Sequence, residues 1–194
     1  MFFQAPPVVQ TEVFSSVPDK LRKKGQPASW IDANHPGSGI DCFLEGPAFD
    51  RAGNLYMVDI PFGRILRMSP KGDFEVAAEY DGWPNGLKFH RDGRIFIADY
   101  KNGIMLLDPV SGRVTPYLVR ANLERFKAVN DLFFARNGEP RYRVRSCTGM
   151  HTTNVACGGP GNRTLFITES ETATILCADM PMAGQRMYAD PEAV

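Results

Sequence analysis

Glu45-Gly-Pro-Ala-Phe-Asp-Arg-Ala-Gly-Asn-Leu-Tyr-Met-Val-Asp59 superimposes on Asn85-Gly-Leu-Lys-Phe-His-Arg-Asp-Gly-Arg-Ile-Phe-Ile-Ala-Asp99 at one constant offset. Phe49 meets Phe89, Arg51 meets Arg91, Gly53 meets Gly93 and Asp59 meets Asp99. Beyond the quoted stretch, Gly63 meets Gly103 and Leu66 meets Leu106. Within each unit, Leu55–Val58 and Ile95–Ala98 are apolar, β-prone runs entered from turns at Arg51–Asn54 and Arg91–Arg94. A third strand follows at Arg64–Arg67, and a fourth at Phe74–Ala77 after the Lys71-Gly72-Asp73 turn. In the second unit Ser111-Gly112-Arg113 is the matching turn before Val114–Leu118. Four short strands in a unit of about 40 residues are the mark of a β-propeller blade.

The repeat then changes. Asn130–Gly138 opens a third unit, with Phe134 on Phe89 and Gly138 on Gly93. Its second and third strands are missing, and Glu139–Cys147 follows as an alternating strand with a different start. A last unit runs from Thr153–Cys157 through the Gly158–Asn162 turn to Leu165–Glu169 and Thr174–Leu176. The expected organisation is a leader, 1–44, and a shortened all-β propeller, 45–194. Its units are 45–82, 83–120, a curtailed 128–147, and 151–190. At about 40–45 residues per blade this makes three and a half to four blades. The strand-like run Val9–Val17 in the leader is placed as the closing strand of the last blade.

Composition narrows the function. Lys and Arg number 22, as do Asp and Glu, so the formal net charge is zero. That balance argues against nucleic acid or an anionic membrane surface as partner. No apolar run approaches the ~18 residues of a membrane helix. The four cysteines, Cys42, Cys147, Cys157 and Cys177, form no Cys-x-x-Cys pair. They read as reduced, buried and structural, and the N-terminus carries no secretory pattern, which together indicate the cytoplasm. No His-x-x-x-His pair and no Gly-x-Ser-x-Gly elbow exists, so zinc-protease and serine-hydrolase chemistry find no support. Gly158–Gly161 is a turn, because no Lys-Ser/Thr follows it.

Glu45, Asn85, Asn130 and Thr153 occupy one position in the four units. In a propeller that position starts the innermost strand, at the channel mouth. Oxygen donors converging there suit a hard cation such as Ca²⁺, which takes six to eight oxygens. Such an ion would polarise an ester carbonyl and acidify a nearby water, whose proton a carboxylate would take. Asn85 sits in a Pro-Asn-Gly context that is equally ordinary turn chemistry. Asp131 is a candidate base, and His151 a candidate acid, base or substrate contact. Thr153 is a rim residue on the substrate side. Asp59, Asp99 and, in the last unit, Glu169 recur at one position and read as hydrogen-bonding groups internal to each blade. His90 lies in a turn and His35 in the Pro/Gly-rich leader.

Phe43–Asp50, Val58–Arg64, Trp83–Phe89, Ile97–Gly103, Val129–Leu132, His151–Asn154 and Leu165–Ser170 together resemble the gluconolactonase/regucalcin lactonases, in that family's order. The resemblance implies a six-bladed propeller, a divalent cation at the central mouth and hydrolysis of small-molecule lactones. It implies Glu45 as a metal ligand and Asn130 of the Asn130-Asp131 motif as a metal- or substrate-side residue. It also likens Pro-Asn-Gly at Asn85 to the family's metal-binding Asn-Gly, displaced by two blades. Against that pattern about two blades are absent between Gly138 and Glu139, and with them a fourth-blade Asn and a fifth-blade Asp. Three outcomes follow from the sequence. The chain is a calcium-dependent lactonase; or it is an inactive, shortened propeller that binds cation weakly or forms homo-oligomers through open strand edges; or it closes as a four-bladed ring.

Overall fold

The structure is a computed structural model and describes residues 8–90, 92–121, 124–125, 143–148 and 152–184. It is all-β apart from a short helix, α1 (Ser29–Asn34), and three single 3₁₀ turns. The strands are β1 (Val8–Gln10), β2 (Glu12–Ser16), β3 (Leu44–Phe49), β4 (Leu55–Asp59), β5 (Arg64–Met68) and β6 (Phe74–Glu79). They continue with β7 (Pro84–Phe89), β8 (Ile95–Asp99), β9 (Gly103–Leu107), β10 (Val114–Leu118), β11 (Arg120–Ala121) and β12 (Glu124–Arg125). The last four are β13 (Arg143–Arg145), β14 (Thr152–Gly158), β15 (Thr164–Glu169) and β16 (Thr174–Asp179).

Among the described residues three antiparallel four-stranded sheets form blades of a shortened propeller: β3-β4-β5-β6, β7-β8-β9-β10 and β14-β15-β16-β2. In the last of these β2, from the N-terminal leader, is the fourth strand, with Ser16 opposite Thr174 and Glu12 opposite Cys177. The Val9–Val17 run is thus divided. Its first part, β1, leaves the blade at Thr11 and pairs in parallel with β13, Val9 opposite Val144. Of the expected strand over Glu139–Cys147, the described part is β13, which ends at Arg145 and pairs with the N-terminal β1. Residues 126–142, which include the start of that unit, lie outside the described residues.

The first blade is covered on both faces. One apolar cluster joins its Leu44, Leu55, Met57, Leu66 and Met68 to Phe166, Ile175 and Cys177 of the last blade and to Val17. A second joins its Tyr56, Val58, Ile60 and Ile65 to Leu87, Ile95, Ile97, Met105 and Leu107 of the second blade. Strand alternation puts successive side chains on opposite faces, so β4 serves both clusters and all five of its residues are buried. The innermost strands β14, β3 and β7 lie side by side in that order.

The recurring acids are satisfied inside their blades. Asp59 accepts Phe43 N–H on Oδ1 at 2.8 Å and Arg64 Nε on Oδ2 at 2.9 Å, and both side chains are fully buried. Arg64 Nη1 reaches on to the Leu21 carbonyl, tying the leader to the blade. Asp99 accepts Lys101 N–H, Asn102 N–H and the Tyr80 hydroxyl. Glu169 accepts Glu171 N–H and Thr172 N–H.

The thiols depart from the expectation of four buried cysteines. Cys42 and Cys177 are buried and Cys157 is half-buried, but Cys147 is exposed. Burial, helped by the Glu12 carboxylate beside it, pushes the Cys177 thiol up to about 11. Burial also raises Cys42 and Cys157. Iodoacetamide at pH 8 therefore labels Cys147 first in the native chain, with Cys42 and Cys177 modified only after unfolding; mass spectrometry of timed digests reads the order.

A buried pair stripped of one partner costs about 3–5 kcal/mol, whereas apolar replacement of both is close to neutral. Asp59→Leu alone is expected to lower stability by that amount, and Asp59→Leu with Arg64→Met to recover most of it, as measured by urea unfolding.

Candidate functional site at the propeller mouth

Each inner strand breaks its ladder at the candidate position. The register shifts between Glu45 and Ala48 in β3, between Pro84 and Gly86 in β7, and between Thr152 and Asn154 in β14. Asn85 and Thr153 are the extra residues of those bulges. A bulge bends its strand and re-aims the side chain it carries, and bulges cluster beside functional sites.

The bulges let β3 and β7 come together backbone to backbone. Gly46 has φ +52°, and a Cβ built on it would overlap Gly86 Cα and lie 3.1 Å from the Asn85 carbonyl oxygen. Only a residue without a side chain fits there. This contact puts Glu45-Gly46 beside Asn85-Gly86. Glu45 is half-buried, and its Oε2 accepts Gly46 N–H at 3.1 Å. Asn85 Oδ1 is buried and has no hydrogen-bond partner among the described residues. An amide oxygen left so forfeits about 1–3 kcal/mol unless something occupies it.

Thr153 lies on the other side of β3. Its hydroxyl donates to the Leu44 carbonyl and lies 2.8 Å from Thr168 Oγ1. Ser170 Oγ donates to the same carbonyl at 2.9 Å. Thr153 is therefore brought to the first blade's inner strand, and its hydroxyl is engaged in the seam between blades. Ser170 was not singled out from the sequence; a lone serine after Glu169 carries no signal of a cross-blade bond. Asn130, Asp131 and His151 lie outside the described residues.

Residues 43–142, half of the chain, match the SMP-30/gluconolactonase/LRE-like region. The chain belongs to this family. A gluconolactonase of Zymomonas mobilis subsp. mobilis is 30% identical over 109 residues, which cover 48% of this chain and 31% of the relative. A drp35 lactonase of Staphylococcus aureus, strain bovine RF122, is 31% identical over 78 residues, covering 38% of this chain and 23% of the relative. The matched segments thus span about a third or less of these curated relatives. Among solved structures, a gluconolactonase of Xanthomonas campestris aligns with 89% of this chain and 74% of its own, at 16% identity and a TM-score of 0.44.

Of the oxygen-bearing residues expected at the mouth, Glu45 and Asn85 are the two that the described residues bring to adjoining strands, and carboxylate and amide oxygens are donor types that hard cations take. Among the described residues no three His, Cys, Asp or Glu side chains converge on a point.

Replacing Asn85 by leucine removes the unpartnered oxygen. Asn85→Leu is expected to melt at a higher temperature than the parent in EDTA, by the equivalent of about 1 kcal/mol. Any rise in melting temperature that calcium gives the parent is expected to be lost in this variant.

Proposed function

We propose that this chain is a lactone hydrolase acting on a small-molecule cyclic ester with a divalent cation, calcium, at the mouth. Glu45 and Asn85 hold the ion, and Asn130 completes the ligand set on the substrate side. When bound, the ion supplies Lewis acidity to an ester carbonyl and lowers the pKa of water near it. Asp131 is the proton acceptor, with His151 as the second acid–base group and Thr153 bordering the substrate. The observation that carries the reading is the buried, unpartnered Asn85 Oδ1 beside Glu45, at bulges shared by both inner strands. Family membership supplies the reaction class. The zero net charge favours a small molecule over nucleic acid or a membrane surface as partner. No helix among the described residues is long and apolar enough to cross a membrane. The cytoplasm remains the proposed compartment, on the reading of the thiols as reduced.

A second reading has its own observation. Among the described residues no three His, Cys, Asp or Glu side chains cluster, and the outer strand of the second blade exposes Tyr117 and Leu118. These favour a non-catalytic propeller that binds cation weakly and associates with copies of itself through open edges.

Lactone opening followed by acid release separates the two. The hydrolase reading expects turnover that EDTA abolishes and calcium restores, and that falls at least ~100-fold in Glu45→Gln and in Asp131→Asn. Absence of turnover at every calcium level, with concentration-dependent oligomers in sedimentation, supports the second reading.

A further inference from the structure

The second blade has two faces, and strand alternation divides its side chains between them. Ile95, Ile97, Met105 and Leu107 point into the core shared with the first blade. Phe96, Leu106 and Thr115 stand opposite one another across β8, β9 and β10, on the face turned away from that core. None of the three is fully buried. At the end of the blade away from Asn85 this face runs into two turns. His90 N–H donates to the Arg94 carbonyl at 2.8 Å in the β7–β8 turn, and Asp108 N–H to the Arg113 carbonyl at 2.9 Å in the β9–β10 turn. A hollow of about 470 Å³ lies between them, lined by residues 92–94, 106–109, 113 and 115. That is the size of a small-molecule site. The run of β7 sets it roughly 15 Å from Asn85.

Four charged side chains line the hollow: Asp92, Arg94, Asp108 and Arg113. Three of them are engaged close by. Asp92 Oδ2 accepts Arg94 Nε at 2.9 Å, and its Oδ1 lies 2.8 Å from His90 Nδ1. The Arg94 guanidinium also lies over the Phe96 ring, 5.3 Å from its centroid, and hydrogen-bonds Tyr117. Asp108 is turned into its own loop, where Oδ1 accepts Val110 N–H at 2.9 Å and Oδ2 accepts Ser111 Oγ at 2.7 Å. The Arg94 guanidinium holds the Asp92 carboxyl, and the Ser111 hydroxyl the Asp108 carboxyl, below the usual carboxylate range. Arg113 differs. Among the described residues its guanidinium has no partner, and neither has the Thr115 hydroxyl. A guanidinium presents parallel N–H donors that match the two oxygens of a carboxylate. Leu106 beside it offers apolar contact.

We propose that this hollow is a second ligand site, for a small organic monocarboxylate with a short apolar stem. Arg113 takes the carboxylate with two parallel hydrogen bonds, Thr115 stands beside the same group, and the stem lies over Leu106. One free guanidinium meets one negative charge. A phosphate dianion carries a second charge, which the ionised Asp92 and Asp108 repel. A cation finds both acids already bonded. The site lies at the far end of the blade from Glu45 and Asn85 and does not rest on the lactonase reading.

Hexanoate is the probe, with hexanamide as its uncharged match and hexyl phosphate as the dianion. Amide proton–nitrogen NMR of the full chain follows each titration, in EDTA so that no metal ion at the mouth competes for the carboxylate. Hexanoate is expected to shift the Gly93, Asp108, Arg113 and Thr115 signals saturably and to leave Gly46 and Gly86 in place. It is expected to bind the parent about tenfold more tightly than either hexanamide or hexyl phosphate does. Arg113 is exposed, and Arg113→Gln is expected to weaken hexanoate about tenfold, with Arg113→Lys, which keeps the charge and loses the fork, in between. Equal binding of hexanoate and hexanamide, shifts confined to the mouth, or undiminished binding in Arg113→Gln overturns the proposal. Hexyl phosphate binding as tightly as hexanoate overturns the choice of a monocarboxylate. The comparison of hexanoate with hexanamide uses the parent alone and decides should a variant fail to fold.

Discussion

The innermost strands of the first and second blades touch backbone to backbone at Gly46 and Gly86, and the mouth is built on that contact. A side chain on Gly46 would push β3 and β7 apart. The approach fixes how near the Glu45 carboxylate lies to the Asn85 amide. It also requires each strand to leave its ladder where it does, because a regular pleat would send the two donors along the blade faces. On the other side of β3 the seam is polar instead. The Leu44 carbonyl takes the hydroxyls of Thr153 and Ser170, so the last blade docks through hydrogen bonds where the second docks through glycine contact.

One step out from the mouth, a buried acid at the end of each second strand faces the same problem and solves it with local partners. Asp59 takes an arginine and a backbone amide, Asp99 a tyrosine hydroxyl and two turn amides, and Glu169 turn amides and a threonine hydroxyl. A buried carboxylate is tolerated only when paired or hydrogen-bonded. Here those bonds fix the turn that leads into the third strand. Burial and the Asp99 carboxylate together hold the Tyr80 hydroxyl protonated far above its ordinary range. These groups shape the blades. Arg64 goes further, since its bond to the Leu21 carbonyl anchors the leader that carries Trp30 to the first blade.

The blades were legible because a repeat multiplies weak signals. Phe49 with Phe89, Gly53 with Gly93 and Asp59 with Asp99 say together what none says alone, and the strands fall where those pairs put them. The internal role of the acids was legible for the same reason. Bulges were not, because a register break depends on the neighbouring strand and leaves no local pattern at Asn85 or Thr153. Asn-Gly reads as a turn in isolation, and only its place on an inner strand gives the amide another use. Thr153 shared its repeat position with Glu45 and Asn85 but not their surroundings, since β14 meets β3 through Leu44. The split of the Val9–Val17 run into β1 and β2 depended on a long-range parallel pairing with Arg143–Arg145 that no periodicity announces. The leader's aromatic residues were invisible as a group, since Trp30, His35 and Phe43 are brought together only by folding.

In the proposed function, Glu45 and Asn85 form one cation site across the contact of two inner strands. Calorimetric titration of calcium into the purified chain and into Glu45→Gln tests it most directly. One saturable site is expected in the parent and at least ~100-fold weaker binding in Glu45→Gln, from loss of the charged ligand. Binding of equal strength in both proteins would contradict it.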